Sequence, residues 1–244
     1  MNRGKWTMAL MLWVTATGIA QEILPGKHPA TTPVPREAAW MIMHQSFNER
    51  AKKGDVDLLF LGDSITQGWA NNETWKRYYD NRKAVNMGIG GDRTEHVLWR
   101  LDHGNVDGIS PKVVVLMIGT NNSGGEAYSA EQIGDGIVAI VQKLRTKLPE
   151  TKILLLAIFP RGENPNPQRE KNASASARAA KLADDKHVYF LDIGAYFLDD
   201  KGHLAKEIMP DYLHLSPAGY KIWARAIESK LAELLGDKPV SDQD

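Results

Sequence analysis

Cysteine is absent from the 244 residues. That absence excludes disulfides, thiolate zinc sites, iron–sulfur ligation and a cysteine nucleophile. It selects no compartment, because a cysteine-free chain is viable in any redox environment. A surplus of either charge is also missing, since Lys+Arg and Asp+Glu are 30 each. Without a basic excess nothing drives binding to a phosphate backbone, so no nucleic acid partner is expected. No apolar run reaches the roughly 20 residues that cross a bilayer. What remains is ordinary globular composition, 43% hydrophobic and 25% charged. Such a chain is neither disordered nor low-complexity. Its length suits one α/β domain of about 200 residues, or at most two small ones.

The N-terminus reads as a targeting segment. Arg3 and Lys5 form a short basic start, and Trp6 to Ala20 carry no charge before Gln21 and Glu22. A run of 15 uncharged residues fits a signal-peptide core better than a membrane anchor. Gly18 and Ala20 are the small residues needed three and one places before a cut, so residues 1–20 are expected to leave by cleavage after Ala20. An uncleaved anchoring helix is the alternative. Removing 20 of the 244 residues leaves 224, with Arg3 and Lys5 lost and the remainder close to neutral. The mature protein is therefore expected to be exported, to the periplasm or beyond, with no stable membrane span.

The mature chain alternates strands with helices. Residues 21–35 hold Pro25, Pro33 and Pro35 and read as an extended lead-in. Arg36 to Lys53 carry Ala39, Trp40, Met43, Phe47 and Ala51 at helical spacing. Short apolar runs at Val56–Leu61, Ala84–Met87, Val113–Ile118, Ile153–Phe159 and Val188–Ile193 read as five buried strands. Ser129 with Gln132 forms a capping box for a helix reaching Leu148. Arg169 to Ala183 form another helix. Ser216 and Pro217 open the last helix, which Gly236 ends after Leu235. Residues 237–244 read as a mobile tail. Near-continuous apolar strands separated by helices imply a parallel sheet covered on both faces, in one domain over residues 36–236. No internal repeat or linker divides it.

In such sheets a ligand sits beyond the carboxyl ends of the strands. The first strand runs into Gly62-Asp63-Ser64 and the second into Gly88-Ile89-Gly90-Gly91-Asp92. The third ends at Gly119-Thr120-Asn121-Asn122, and Asp211-Tyr212-Leu213-His214 precede the last helix. A serine, a glycine-rich turn, an amide and an Asp/His pair thus share one edge. These are the parts for acyl transfer through a covalent serine intermediate. Taken singly they have plainer readings. Ser64 could cap a helix, Asp63 brace its turn, Asn121 occupy a turn, and Asp92 steady the glycine turn. His96 and His103 read as surface or packing residues, without metal-ligand spacing. Trp69, Trp75 and Trp99 belong to the core or to a pocket wall. Sequons begin at Asn72, Asn121 and Asn172.

The four blocks in this order resemble the SGNH (GDSL-type) hydrolases over about Asp57 to Leu235. Within that superfamily, Gly88 to Thr94, His96 to Leu101, Pro160-Arg161-Gly162 and Tyr212 to Ser216 are most similar to catalytic subunits of platelet-activating factor acetylhydrolase isoform Ib. Ile65 stands where the family name has Leu. The resemblance implies a three-layer α/β/α, flavodoxin-like fold with a five-stranded parallel sheet. It implies Ser64 as nucleophile, His214 as base and Asp211 as the carboxylate that orients it. It implies an oxyanion hole built from the Ser64 and Gly91 N–H groups and the Asn121 side chain.

The expected activity is therefore a secreted serine esterase that removes acetyl or other short acyl groups, without metal or organic cofactor. An O-acetylated carbohydrate is the favoured substrate, with a phospholipid or small aryl ester as alternatives. A flavodoxin-like flavin or nucleotide binder is a competing reading, though Gly88-x-Gly90-x-x-Arg93 lacks the third glycine of the dinucleotide fingerprint. A non-catalytic glycan-binding protein is another. A histidine base predicts a rate that rises across pH 6 to 7, about where imidazole ordinarily loses its proton. No unusually apolar helix face demands a second copy, and no oligomeric state is read.

Overall fold

The computed structural model describes residues 24–70 and 72–241. The segment expected to act as a signal peptide, the expected cut after Ala20 and the last three residues lie outside that range. Five parallel strands form one sheet: β1 (Leu58–Gly62), β2 (Ala84–Gly88), β3 (Val113–Met117), β4 (Lys152–Leu156) and β5 (Val188–Leu191), in the order β2-β1-β3-β4-β5. The register sets Leu58 beside both Ala84 and Val113, Val113 beside Lys152, and Ile153 beside Val188. β1 and β3 are buried along their whole lengths. Their Leu, Phe and Val side chains feed two cores, one on each face, which is why these strands do not alternate with polar residues.

On one face Leu59, Leu61, Val114 and Leu116 meet α1 (Ala38–Lys52), α4 (Thr94–Asp102), α5 (Ala130–Lys147) and α6 (Pro167–Ala180). On the other, Leu58, Phe60, Val113 and Val115 meet α3 (Glu73–Tyr79) and α7 (Pro217–Leu235). A four-residue α2 (Ser64–Gln67) follows β1 directly. The result is the expected three-layer α/β/α domain. Chain connections leave β1 and β3 in opposite directions, so a crevice opens beyond their carboxyl ends. Ser64 and Asn121 sit there.

Some boundaries differ from expectation. β4 stops at Leu156, not Phe159, because the Ile158 N–H turns to the Ser176 hydroxyl of α6 at 3.0 Å. β5 accordingly ends at Leu191. α6 starts at Pro167, capped by the Asn166 side chain, which accepts from the Arg169 N–H at 3.1 Å. The lead-in is not simply extended. Pro29–Thr31 form a 3-10 turn, Ala30 is buried, and Asp135 of α5 accepts from the Gly26 N–H at 2.9 Å.

The described part of the tail is docked, contrary to the expected mobility. Arg82 donates to Asp237 at 2.9 Å, and the Val240 N–H donates to Glu228 at 2.7 Å. The reason is electrostatic. Arg82 and Glu228 are both buried, and the tail supplies each with a further partner.

Candidate active site

Ser64 follows β1 through Gly62 and Asp63. The helix cap that is the alternative reading of Ser64 is made by Asp63, whose side chain accepts from the Ile65 N–H at 3.0 Å. Ser64 is thereby the first helical residue, with its hydroxyl free of capping duty. Its Oγ lies 2.9 Å from Nε2 of His214, across 150 residues of sequence.

His214 is held by its own loop. Asp211 Oδ1 accepts from the backbone N–H groups of Leu213 and His214 at 3.1 and 2.7 Å. This turn leaves Oδ2 to face His214 Nδ1 at 2.6 Å. With Nδ1–H donating to the carboxylate, Nε2 is left to accept from the Ser64 O–H. Tyr212 adopts a left-handed backbone, φ 58°, and its carbonyl accepts from the Gly162 N–H at 2.8 Å. Ser216 caps α7 just beyond, accepting from the Gly219 N–H at 3.2 Å. Slight burial raises the Asp211 carboxyl, but the His214 ring and the two N–H donors outweigh it and hold it below the usual carboxylate range. The imidazole thus faces a charged partner.

The glycine turn lies against Ser64. A Cβ placed on Gly90 would stand 3.7 Å from that of Ser64. Gly91 has φ +76°, a conformation in which other residues are strained. Polar groups on either side of the Gly91 N–H are engaged. Gln67 Oε1 accepts from the Gly90 N–H at 2.7 Å, Arg36 donates to the Gly90 carbonyl at 2.7 Å, and the Asp92 N–H donates to Ile89 at 3.1 Å. Asn121 donates to the Asp92 carbonyl at 2.9 Å, which makes it a strut of the turn and leaves its second amide proton over. The Ser64 and Gly91 N–H groups donate to no partner among the described residues. The structure therefore joins Ser64, His214 and Asp211 directly, and links Gly91 and Asn121 to them through the Gly90–Asp92 turn.

Beneath the turn lies a buried charge cluster. Asp92 accepts from Trp40 Nε1 at 2.7 Å and pairs with Arg36 at 3.2 Å and Arg100 at 2.9 Å. It does steady the turn, from below. Arg100, fully buried, also donates to the Met87 carbonyl at 2.8 Å. Burial pushes the Asp63 carboxyl up to about 7; the Ile65 N–H opposes this and Asp92 adds to it.

The remaining candidates take structural places. His96 accepts from the Arg93 N–H at 2.9 Å and so closes the start of α4, while the His103 ring stacks on Trp99 at 3.7 Å. Trp69 is fully buried, Trp75 packs against the same core, and Trp99 leans on Trp40. Asn172 is buried and Asn72 caps α3. Among the described residues no cluster of three His, Asp or Glu side chains could hold a metal ion, and no helix is long and apolar enough to cross a membrane.

Three residues escaped the sequence reading. Arg36 precedes a helix in a proline-rich stretch and Gln67 lies three places after Ser64, so neither forms a pattern. Arg161 was visible only as part of a motif; its guanidinium donates to the Thr120 carbonyl and hydroxyl, both at 3.3 Å.

Similarity to known proteins assigns the chain to a family. A model of the GDSL-like lipase/acylhydrolase family matches residues 60–222. The alpha1 subunit of platelet-activating factor acetylhydrolase IB from Homo sapiens is 40% identical over 216 residues, 86% of this chain and 92% of its own. The alpha2 subunit from Rattus norvegicus is 39% identical, over 84% of this chain and 88% of its own. An acetylxylan esterase from Geobacillus stearothermophilus shares the fold with a TM-score of 0.59 at 22% identity, covering 78% of this chain and 99% of that one. The chain belongs to the GDSL-like lipase/acylhydrolase family. It is a hydrolase acting on ester bonds, which sets aside the flavin- or nucleotide-binding reading.

Proposed function

We propose that the protein is an exported serine esterase that removes acetyl or other short acyl groups, with O-acetylated carbohydrate as its substrate class. The observation that carries the reading is the chain of contacts from Ser64 Oγ through His214 to Asp211, at 2.9 and 2.6 Å. In this scheme Ser64 attacks the ester carbonyl while His214 Nε2 takes its proton. The carbonyl oxygen gains negative charge facing the Ser64 and Gly91 N–H groups and the Asn121 amide. Collapse expels the alcohol, which takes the proton back from His214. Water, deprotonated in turn by His214, then attacks the acyl-serine; the acid leaves as His214 returns the proton to Ser64 Oγ. Asp211 keeps the proton on Nδ1 and balances the imidazolium.

The exposure of the site supports a short acyl group on a bulky polar alcohol. The His214 and Asp211 side chains are 46% and 55% exposed, so a large leaving group can remain in solvent. The basic start and uncharged run of residues 1–20 support export, where acetylated glycans are met. The similarity to platelet-activating factor acetylhydrolase subunits favours a second reading, an acetylated phospholipid. A panel of p-nitrophenyl acetate, butyrate and octanoate beside acetylated xylan, acetylated sialic acid and an acetylated phospholipid separates them. The account expects acetyl over octanoyl, glycan over phospholipid, and no turnover in Ser64→Ala. Preference for octanoate, or for the phospholipid, would overturn the substrate class.

A further inference from the structure

We propose that Arg36, in the segment ahead of α1, is a positioning residue that holds and polarises the Gly90–Gly91 peptide. The inference rests on the reading above, in which the Gly91 N–H meets the developing oxyanion. The Gly90 carbonyl and the Gly91 N–H belong to one planar trans peptide and point in opposite directions. Arg36 Nη1 grips the carbonyl at 2.7 Å. Fixing that oxygen fixes the direction of the N–H on the other side. A cation on the oxygen also draws electron density out of the peptide and strengthens the N–H as a donor, as happens along any hydrogen-bonded chain.

The guanidinium is itself aimed. Its Nη1 also donates to Asp92 Oδ1 at 3.2 Å, and Trp40 and Arg100 hold Asp92 from its other sides. Two arginines thus share the buried Asp92 carboxylate, and Glu37 pairs with Arg36 Nη2 at 3.4 Å, so the guanidinium is held from two sides. Gly91 is required here on a second ground. A Cβ at this position would stand 3.1 Å from both Nη1 and Nη2 of Arg36, so the guanidinium lies directly against the Gly91 Cα. The arrangement leaves the Arg36 side chain 22% exposed, accessible to a small solute if the side chain is removed.

A donor strengthened in this way acts on the transition state more than on bound substrate. Its loss should appear in kcat and leave KM nearly unchanged. The test is steady-state kinetics on p-nitrophenyl acetate with Arg36→Ala, Arg36→Met, Arg36→Lys and Ser64→Ala. Arg36→Ala and Arg36→Met should lose about 10- to 100-fold in kcat, short of the 10²–10³ typical of deleting a whole oxyanion donor. KM should stay within about twofold. Arg36→Lys should recover part of the loss. Free guanidinium ion at millimolar concentration should raise kcat in Arg36→Ala and do nothing for wild type or Ser64→Ala. Kinetics in Arg36→Met within about twofold of wild type would overturn the proposal. So would a loss carried by KM and unmoved by guanidinium. Should Arg36→Ala and Arg36→Met not fold, a drop in kcat at constant KM in Arg36→Lys supports the assignment and wild-type kcat in it refutes it. Full turnover in Ser64→Ala would instead remove the underlying esterase reading, whatever the Arg36 variants do.

Discussion

Gly162 donates its backbone N–H to the carbonyl of Tyr212 across 2.8 Å, fastening the loop after β4 to the loop that carries Asp211 and His214. Both residues have left-handed backbones, φ +78° and +58°. For tyrosine that conformation costs about 1–2 kcal/mol, so the tether matters where it is placed. It anchors the first of the two loop residues between the carboxylate of Asp211 and the imidazole of His214.

Gly162→Ala should therefore injure catalysis more than folding. The new Cβ meets Asn166 Nδ2 at 2.6 Å in a backbone unfavourable to alanine. The Asn166 amide can yield, but the turn shifts and the tether lengthens. We expect roughly tenfold loss of kcat/KM on p-nitrophenyl acetate, with a fall in Tm of a few degrees for about 1 kcal/mol. Unaltered kinetics at lowered Tm would show that the tether does not position His214.

Asp211→Asn should keep the fold and lose roughly 10²- to 10⁴-fold in rate, because an amide no longer enforces the Nδ1–H tautomer. The Asp211 carboxyl is held below its usual range, with its hydrogen bonds overcoming a small effect of burial. Its stabilising contribution is thus complete above the unfolded carboxyl value near 4 and fades only as pH falls through the lower folded one. Raising the pH should not rescue the variant. Wild-type turnover would mean that another group orients the histidine.

Asp63 behaves with the opposite sign. Burial lifts its carboxyl to about 7 in the folded protein. Between about pH 4 and 7 the folded state holds a proton that the unfolded chain has released, so this group makes stability fall as pH rises through that window. Asp63→Asn retains a carbonyl that can accept from the Ile65 N–H and cannot ionise. In urea melts its stability relative to wild type should increase from pH 5 to pH 8. A constant difference would place the Asp63 carboxyl in its ordinary range.

The strands and the four chemical blocks were legible in the sequence because each is local. An apolar run such as Val113 to Ile118 declares a buried strand, and Asp211 with His214 declares a loop pair. The supports were not. Arg36 acts on Gly90 across 54 residues, and Trp40 on Asp92 across 52, through folding alone. No periodicity records such contacts. Strand ends were overestimated where a side chain captures the ladder, as Ser176 does at Ile158. Polar composition after Gly236 suggested a free tail, but Arg82 and Glu228 draw it in.

That docking can be measured. Arg82 donates to both oxygens of Glu228, at 2.8 and 2.6 Å, inside the fold. Glu228→Gln should destabilise by roughly 3 kcal/mol, the lower range for breaking a buried pair. Deleting residues 237–244 leaves the Arg82–Glu228 pair in place and removes the Asp237 carboxylate, the Val240 contact and the Lys238 and Ser241 carbonyls that accept from Arg82 and Arg77, so it should lower Tm less while leaving kcat intact. A tail deletion as stable as the full chain would return these residues to the mobile class.

The central claim is that Ser64 is a nucleophile activated by His214. It is tested most directly by intact mass after exposure to a fluorophosphonate. The wild-type protein should gain a single phosphonyl adduct, mapped to the peptide containing Ser64. Ser64→Ala should gain none, and His214→Ala should react far more slowly. An adduct on any other residue, or equal labelling of Ser64→Ala, would contradict the account.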